Sequence, residues 1–138
     1  MRRLTLIALA IAAALVVTAC SSGSGSLTGR TWQLTAITEK VPAFQGVVPD
    51  AQQANYTIRF ETDGSFNAKA DCNTISGTYT TTSSGGLTIA PGPSTKAACP
   101  PGSLSEPYIL GLSNAASYAI ANSQLTITLK DGGTLAYK

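Results

Sequence analysis

Tyr56-Thr57-Ile58-Arg59-Phe60-Glu61-Thr62-Asp63-Gly64-Ser65-Phe66-Asn67-Ala68-Lys69-Ala70 is the stretch on which the fold turns. Tyr56, Ile58 and Phe60 alternate with Thr57, Arg59 and Glu61, the period of two that suits a half-buried strand. Asp63-Gly64 is a strong hairpin turn signal. Ser65 to Ala70, led by Phe66, reads as the return strand.

The same pattern recurs on both sides of that hairpin. Leu125, Ile127 and Leu129 alternate with Thr126, Thr128 and Lys130; Asp131-Gly132-Gly133 and a last strand with Leu135 and Tyr137 inward follow. Trp32 and Leu34 open an early strand. Ile75 to Thr81 and Leu87 to Ala90 read as two more. Threonine is abundant on the expected outer faces, where β-propensity is wanted without apolar surface. One segment departs from the period of two. Leu104, Tyr108 and Leu112 lie four apart with Ile109 beside them, which is a helical stripe. Ser103 or Ser105 is the expected cap, with Glu106 and Pro107 in the first turn. Gly111 weakens that helix by about 1 kcal/mol relative to alanine. Tyr118-Ala119-Ile120 then reads as a strand and Asn122-Ser123 as a turn. The predicted fold is mainly β (α+β): an antiparallel curved sheet or open β-barrel, with one short helix before the last strands. The tyrosines mostly take inward positions, so core packing is their default role.

Two segments are expected as loops. Thr38 to Gln53 carries Val41, Pro42, Phe44, Val47, Val48 and Pro49, and its prolines argue against a central strand. Its apolar side chains either fold over the core as a plug or form a ligand or partner surface made by Phe44, Val47 and Val48. Ala90 to Gly102 is rich in proline and glycine and carries Cys99.

The amino terminus reads differently. Arg2 and Arg3 precede an apolar run from Leu4 to Val17, and Val17-Thr18-Ala19-Cys20 resembles a bacterial lipobox. The run is about 14 residues, short of the ~20 that span a bilayer core. The expected organisation is a lipoprotein signal peptide over 1–19, a lipidated Cys20 with a Gly/Ser tether over 20–26, and one domain over 27–138. An ordinary secretory signal or an uncleaved anchor is the competing reading. The tether reaches on the order of 12–15 Å on average. The expected location is the cell envelope: lipid-anchored, extracytoplasmic, on the outer membrane or the outer leaflet of the plasma membrane.

The formal net charge of +2 comes from Arg2 and Arg3. Beyond them acidic and basic residues balance, so there is no electrostatic footprint for nucleic acid. If Cys20 carries lipid, Cys72 and Cys99 remain as a pair in an oxidising compartment. Either they form a disulfide, closing a loop of roughly 28 residues that contributes about 3–4 kcal/mol, or they are buried or metal-binding thiols. The sequence holds no histidine. That removes Ser-His-Asp and Cys-His pairs and leaves a zinc site short of ordinary ligands. No glycine-rich phosphate loop is present. Asp71 is the only acid that a turn, strand face or helix start does not already explain. No metal, no cofactor and no enzymatic activity are expected.

Five motifs in order resemble the META domain, also called the HslJ-like domain. Leu27-Thr28-Gly29-Arg30-Thr31-Trp32-Gln33-Leu34 is similar to its opening L-x-G-x-x-W-x-L. Phe60-x-x-x-Gly64-x-Phe66 is similar to its hairpin, and Cys72-Asn73 with Gly77-x-Tyr79 to its G-C-N…G-x-Y segment. Thr95-Lys96-Ala97-Ala98-Cys99 resembles T-x-M-A-C, and Leu125-x-Ile127 with Gly133-x-Leu135 the closing hairpin. Asp71 stands for a glycine and Ala97 for a methionine; Asp71 is expected to leave the backbone less kinked or to bring a new charge. The resemblance implies an antiparallel β-fold with a helix before the final strands. It also implies an envelope lipoprotein associated, in relatives, with heat-shock response and novobiocin resistance, and it carries no catalytic residues. The function expected is non-enzymatic support of envelope integrity or stress tolerance, with the membrane and an unknown envelope protein as partners. The alternative is a binding module for a small apolar ligand or extended peptide at the barrel mouth or a sheet edge.

Overall fold

A computed structural model describes residues 25–138. The expected signal peptide, Cys20 and most of the expected tether lie outside the described residues. Nine strands and one α-helix follow in order: β1 (Thr31–Lys40), β2 (Ala43–Val47), β3 (Tyr56–Phe60), β4 (Ser65–Ala70), β5 (Asn73–Thr81), β6 (Leu87–Ser94), α1 (Ser105–Ser113), β7 (Ala115–Ala121), β8 (Gln124–Leu129) and β9 (Thr134–Tyr137). The sheet order is β6-β5-β4-β3-β1-β9-β8-β7, with β2 paired to β1 alone. Every neighbouring pair is antiparallel.

The sheet curls into a half-barrel. Its two end strands approach each other at an antiparallel bridge between Gly86 and Ser117, where the Tyr118 N–H donates to the Gly85 carbonyl at 2.9 Å. A curled sheet turns one face inward, and the alternating positions supply it. Trp32, Leu34, Ile58, Phe60, Phe66, Leu125, Ile127 and Leu135 are all fully buried. The interior is filled with these side chains.

The Asp63-Gly64 hairpin forms as expected, with Phe60 opposite Phe66. The Asp63 carboxylate accepts the Ser65 N–H at 2.9 Å and its hydroxyl at 2.6 Å. Asn122 and Ser123 both adopt positive φ, 51° and 61°, the backbone of a two-residue hairpin turn whose twist matches that of its strands.

Helix α1 closes one end. Tyr108 and Leu112 are fully buried, and Tyr108 stacks edge-on against Tyr56 at 6.2 Å between ring centroids. The expected cap differs in detail. Leu104 occupies the N-cap position without a side-chain bond. The Ser105 N–H donates to Ser103 Oγ two residues earlier, at 3.2 Å, and the Leu104 N–H donates to the Tyr56 hydroxyl at 3.0 Å. A core tyrosine and an upstream serine thus replace the simple cap.

Neither expected loop is featureless. Thr38 to Gln53 completes β1, turns at Val41-Pro42 and returns as β2, followed by a 3₁₀ turn over Asp50–Asn55. Its prolines flank the strand rather than interrupt it, and β2 lies at an edge, where they are tolerated. β6 likewise continues past Ala90 through Pro91 and Pro93 to Ser94, again on an edge.

Candidate functional site

The end of the molecule that carries α1 also collects the two cysteines. Cys72 begins the return from β4 into β5, and Cys99 lies on the segment between β6 and α1. They are joined as a disulfide with Cα atoms 5.5 Å apart, the spacing such a bond requires. Asn73, beside Cys72, is buried. Its Nδ2 donates to the Ala97 carbonyl at 3.1 Å, Cys99 Sγ at 3.4 Å and Ser105 Oγ at 3.2 Å. Its Oδ1 accepts the Thr95 hydroxyl at 3.0 Å and the Ala97 N–H at 2.8 Å. One amide therefore ties β5, the cysteine segment and the start of α1 together. Asn73 was legible as part of a motif, but its role depends on three segments meeting and was not.

Asp71 sits at φ 59°. Glycine reaches that left-handed region most readily, and aspartate tolerates it better than most side chains. The expectation of a straighter backbone is thus corrected: the kink is kept.

Beside this clasp lies a cleft of about 560 Å³ between Thr95–Pro100 and the first turns of α1, with Lys96 and Glu106 as its ionisable borders. The helix start is largely occupied by its own partners: the Leu104 and Ser105 N–H groups donate to Tyr56 and Ser103, and the Ser105 hydroxyl accepts from Asn73 Nδ2. The sulfurs are bonded to each other, so they offer no thiolate nucleophile.

The β1–β2 arm is the second feature of this end. Asp131 reaches across to it, accepting the Lys40 N–H at 2.7 Å, the Val41 N–H at 3.0 Å and its own turn's Gly133 N–H at 2.7 Å. These bonds hold its carboxyl below the ordinary carboxylate value, led by the one from Gly133. Past the turn, Val41 is 79 % exposed and Leu110 of α1 is 52 % exposed. They border one hollow of about 330 Å³.

The arm separates the three residues expected to form one surface. Phe44 is half-buried and packs on the core. Val48 is buried, and its N–H donates to the Thr35 carbonyl at 2.9 Å; it is core, which corrects its placement on a surface. Val47 points the other way and is 76 % exposed. Alternation along a strand puts 44, 46 and 48 on one side and 43, 45 and 47 on the other. The plug reading fits the first set. Gln53 fastens the arm's end, donating from Nε2 to the Val48 carbonyl at 3.1 Å and to Asp50 Oδ1 at 2.8 Å.

Among the described residues, no strand pairs with the outer edge of β2. The Val48–Thr35 bond and the pairing register make Gly46 and Phe44 the residues bonded to β1. The N–H and C=O groups of Ala43, Gln45 and Val47 therefore face away from β1.

The remaining motifs hold the fold together. The Trp32 indole donates to the Leu27 carbonyl at 2.9 Å, which sets the entry of the chain. The Tyr79 hydroxyl donates to the Glu61 carbonyl at 2.7 Å. A β-carbon on Gly77 would overlap the Ala90 carbonyl oxygen and stand 2.8 Å from the Phe66 ring.

A small curled antiparallel β-domain, capped by one helix and clasped by a disulfide beside a buried asparagine, is the class of protein defined here. The family model of the META domain matches residues 25–138, and the chain belongs to that family. Two solved structures share the fold. One is the NMR structure of a protein from Burkholderia xenovorans, 23 % identical, covering 81 % of this chain and 82 % of its own, with a TM-score of 0.63. The other is the crystal structure of a DUF4847 family protein from Bacteroides vulgatus, 18 % identical, covering 80 % of this chain and 92 % of its own, with a TM-score of 0.56. No curated protein matches.

Proposed function

We propose that this is a lipid-anchored, extracytoplasmic META-domain protein that supports the cell envelope under heat or antibiotic stress without catalysing a reaction. The observation that carries the reading is the Cys72–Cys99 bond in a chain whose third cysteine, Cys20, ends a lipobox-like sequence. A disulfide suits an oxidising compartment, and pairing 72 with 99 leaves Cys20 for acylation. Two or three acyl chains anchor a protein durably, whereas one does so weakly. Intact-mass measurement on protein extracted from native membranes tests the anchor. A mature chain beginning at an acylated Cys20 is expected; an unprocessed or unacylated terminus overturns it. Survival of a deletion strain under heat and envelope-active antibiotics tests the role, and wild-type survival under every such stress overturns it.

The outer edge of β2 favours one second reading, a module that binds an extended peptide as an added strand. Main-chain bonds would supply affinity there and alternate side chains specificity. Gln45→Pro removes an outward N–H and should abolish peptide capture while leaving the β1 pairing in place; unchanged capture rules this reading out.

A further inference from the structure

The charged residues of the domain are unevenly distributed. Cys72 to Thr95 and Pro107 to Leu129 contain no aspartate, glutamate, lysine or arginine. Those two runs supply β5, β6, β7 and β8. β6 and β7 meet at the Gly86–Ser117 bridge, so the four strands form one continuous wall with no formal charge. Every charged side chain between 25 and 138 lies off these four strands.

The chain enters the fold at one end of this wall, against its inward-facing side chains. A β-carbon on Gly25 would stand 3.1 Å from Ile120 Cγ2, and the entering segment runs between Tyr79 and Tyr118. Cys20 precedes Gly25 by five residues, a span of at most about 18 Å even when fully extended. The opposite end of the barrel carries α1, the disulfide and the β1–β2 arm.

We propose that the uncharged β5–β8 wall, at its end around the Thr82–Gly86 and Asn122–Ser123 turns, is the face that rests on the lipid bilayer. This rests on the lipid-anchored reading of Cys20. A short tether keeps the wall at high effective concentration against the headgroups, so weak contacts suffice. A face without formal charge approaches that layer without stripping water from ions. The disulfide-clasped end then looks away from the membrane, where a soluble partner can reach it, and the acidic Glu61–Asp63 turn, bonded to Tyr79, stands at the rim of the contact.

The test uses the full chain, purified from membranes and reconstituted into phosphatidylcholine–phosphatidylethanolamine vesicles containing a nitroxide-headgroup lipid. Ala119→Cys and Ser84→Cys place an environment-sensitive dye on the wall; Asn67→Cys places it on the outer face of β4. Quenching at 119 and 84 is expected to exceed that at 67 at least about twofold, as a surface lying in the interface requires. Adding Ala119→Glu is expected to reduce the quenching at 84, whereas Asn67→Glu leaves it unchanged. Equal quenching at the three positions, in protein whose mass shows acylated Cys20, overturns the docking face and leaves the anchor standing. A mass without acyl groups removes both. Crosslinking between copies through position 119 in detergent, where there is no bilayer, assigns the wall to a second copy and overturns the proposal.

Discussion

Asn73 uses all of its hydrogen-bonding capacity on one end of the molecule, on Thr95, Ala97, Cys99 and Ser105. Removing a buried partner leaves its former partners without theirs, at about 1–3 kcal/mol for each group left unsatisfied. Asn73→Ala is expected to destabilise the oxidised protein by about 3 kcal/mol, allowing for some rescue by water. Urea unfolding with the disulfide intact measures it, and a loss below about 1 kcal/mol would show that the disulfide alone orders the segment. Asp131 works through charge as well as geometry. Its folded carboxyl titrates below the ordinary 3.8 because backbone N–H groups favour the charged form. A depressed folded value contributes stability above the unfolded value, lost as pH falls through the folded one. Asp131→Asn is therefore expected to remove part of the acid-limb loss of stability below about pH 4. Urea midpoints from pH 7 to pH 3 check this, and parallel curves for the two proteins would refute it.

Helix α1 has a conspicuous internal weakness, Gly111. By propensity alone, Gly111→Ala stabilises the helix by about 1 kcal/mol. The packing opposes that gain. A β-carbon at 111 would stand 2.9 Å from Leu135 Cδ2, and Leu135 is fully buried on β9. Overpacking of a filled core costs about 1–3 kcal/mol, so Gly111→Ala is expected to destabilise by about 1 kcal/mol net. A stabilised variant in the same urea assay would mean that Leu135 finds another rotamer freely. Here the helical stripe of Leu104, Tyr108 and Leu112 was legible, because a period of four stands out from a period of two. The reason for Gly111 was not, because it lies on another strand. β2 makes the same point: local proline content argued for a loop, whereas pairing with β1 made a strand.

The molecule as a whole joins a curled sheet to one cross-link. The disulfide spans a sequence separation of 27, which in the chain-entropy model corresponds to about 3–4 kcal/mol. Reduction, or Cys72→Ala with Cys99→Ala, is expected to lower stability by that order in urea titrations with and without reductant. A much smaller change would mean that Asn73 and the barrel restrain the segment without it. The outer β2 edge, the half-open Val41–Leu110 hollow and the uncharged β5–β8 wall exist only in this assembled state.

Sequence by itself determined the period of each strand, the hairpin turns, the helical stripe, the order of family motifs and the number of cysteines, because these depend on neighbours a few residues apart. Only the tertiary structure decided that Cys72 meets Cys99 across Asn73, that Val48 is core while Val47 is surface, and that two uncharged runs form one wall. Those outcomes depend on which strands lie side by side once the sheet curls, and strand order comes from burying a common core rather than from any local run of residues.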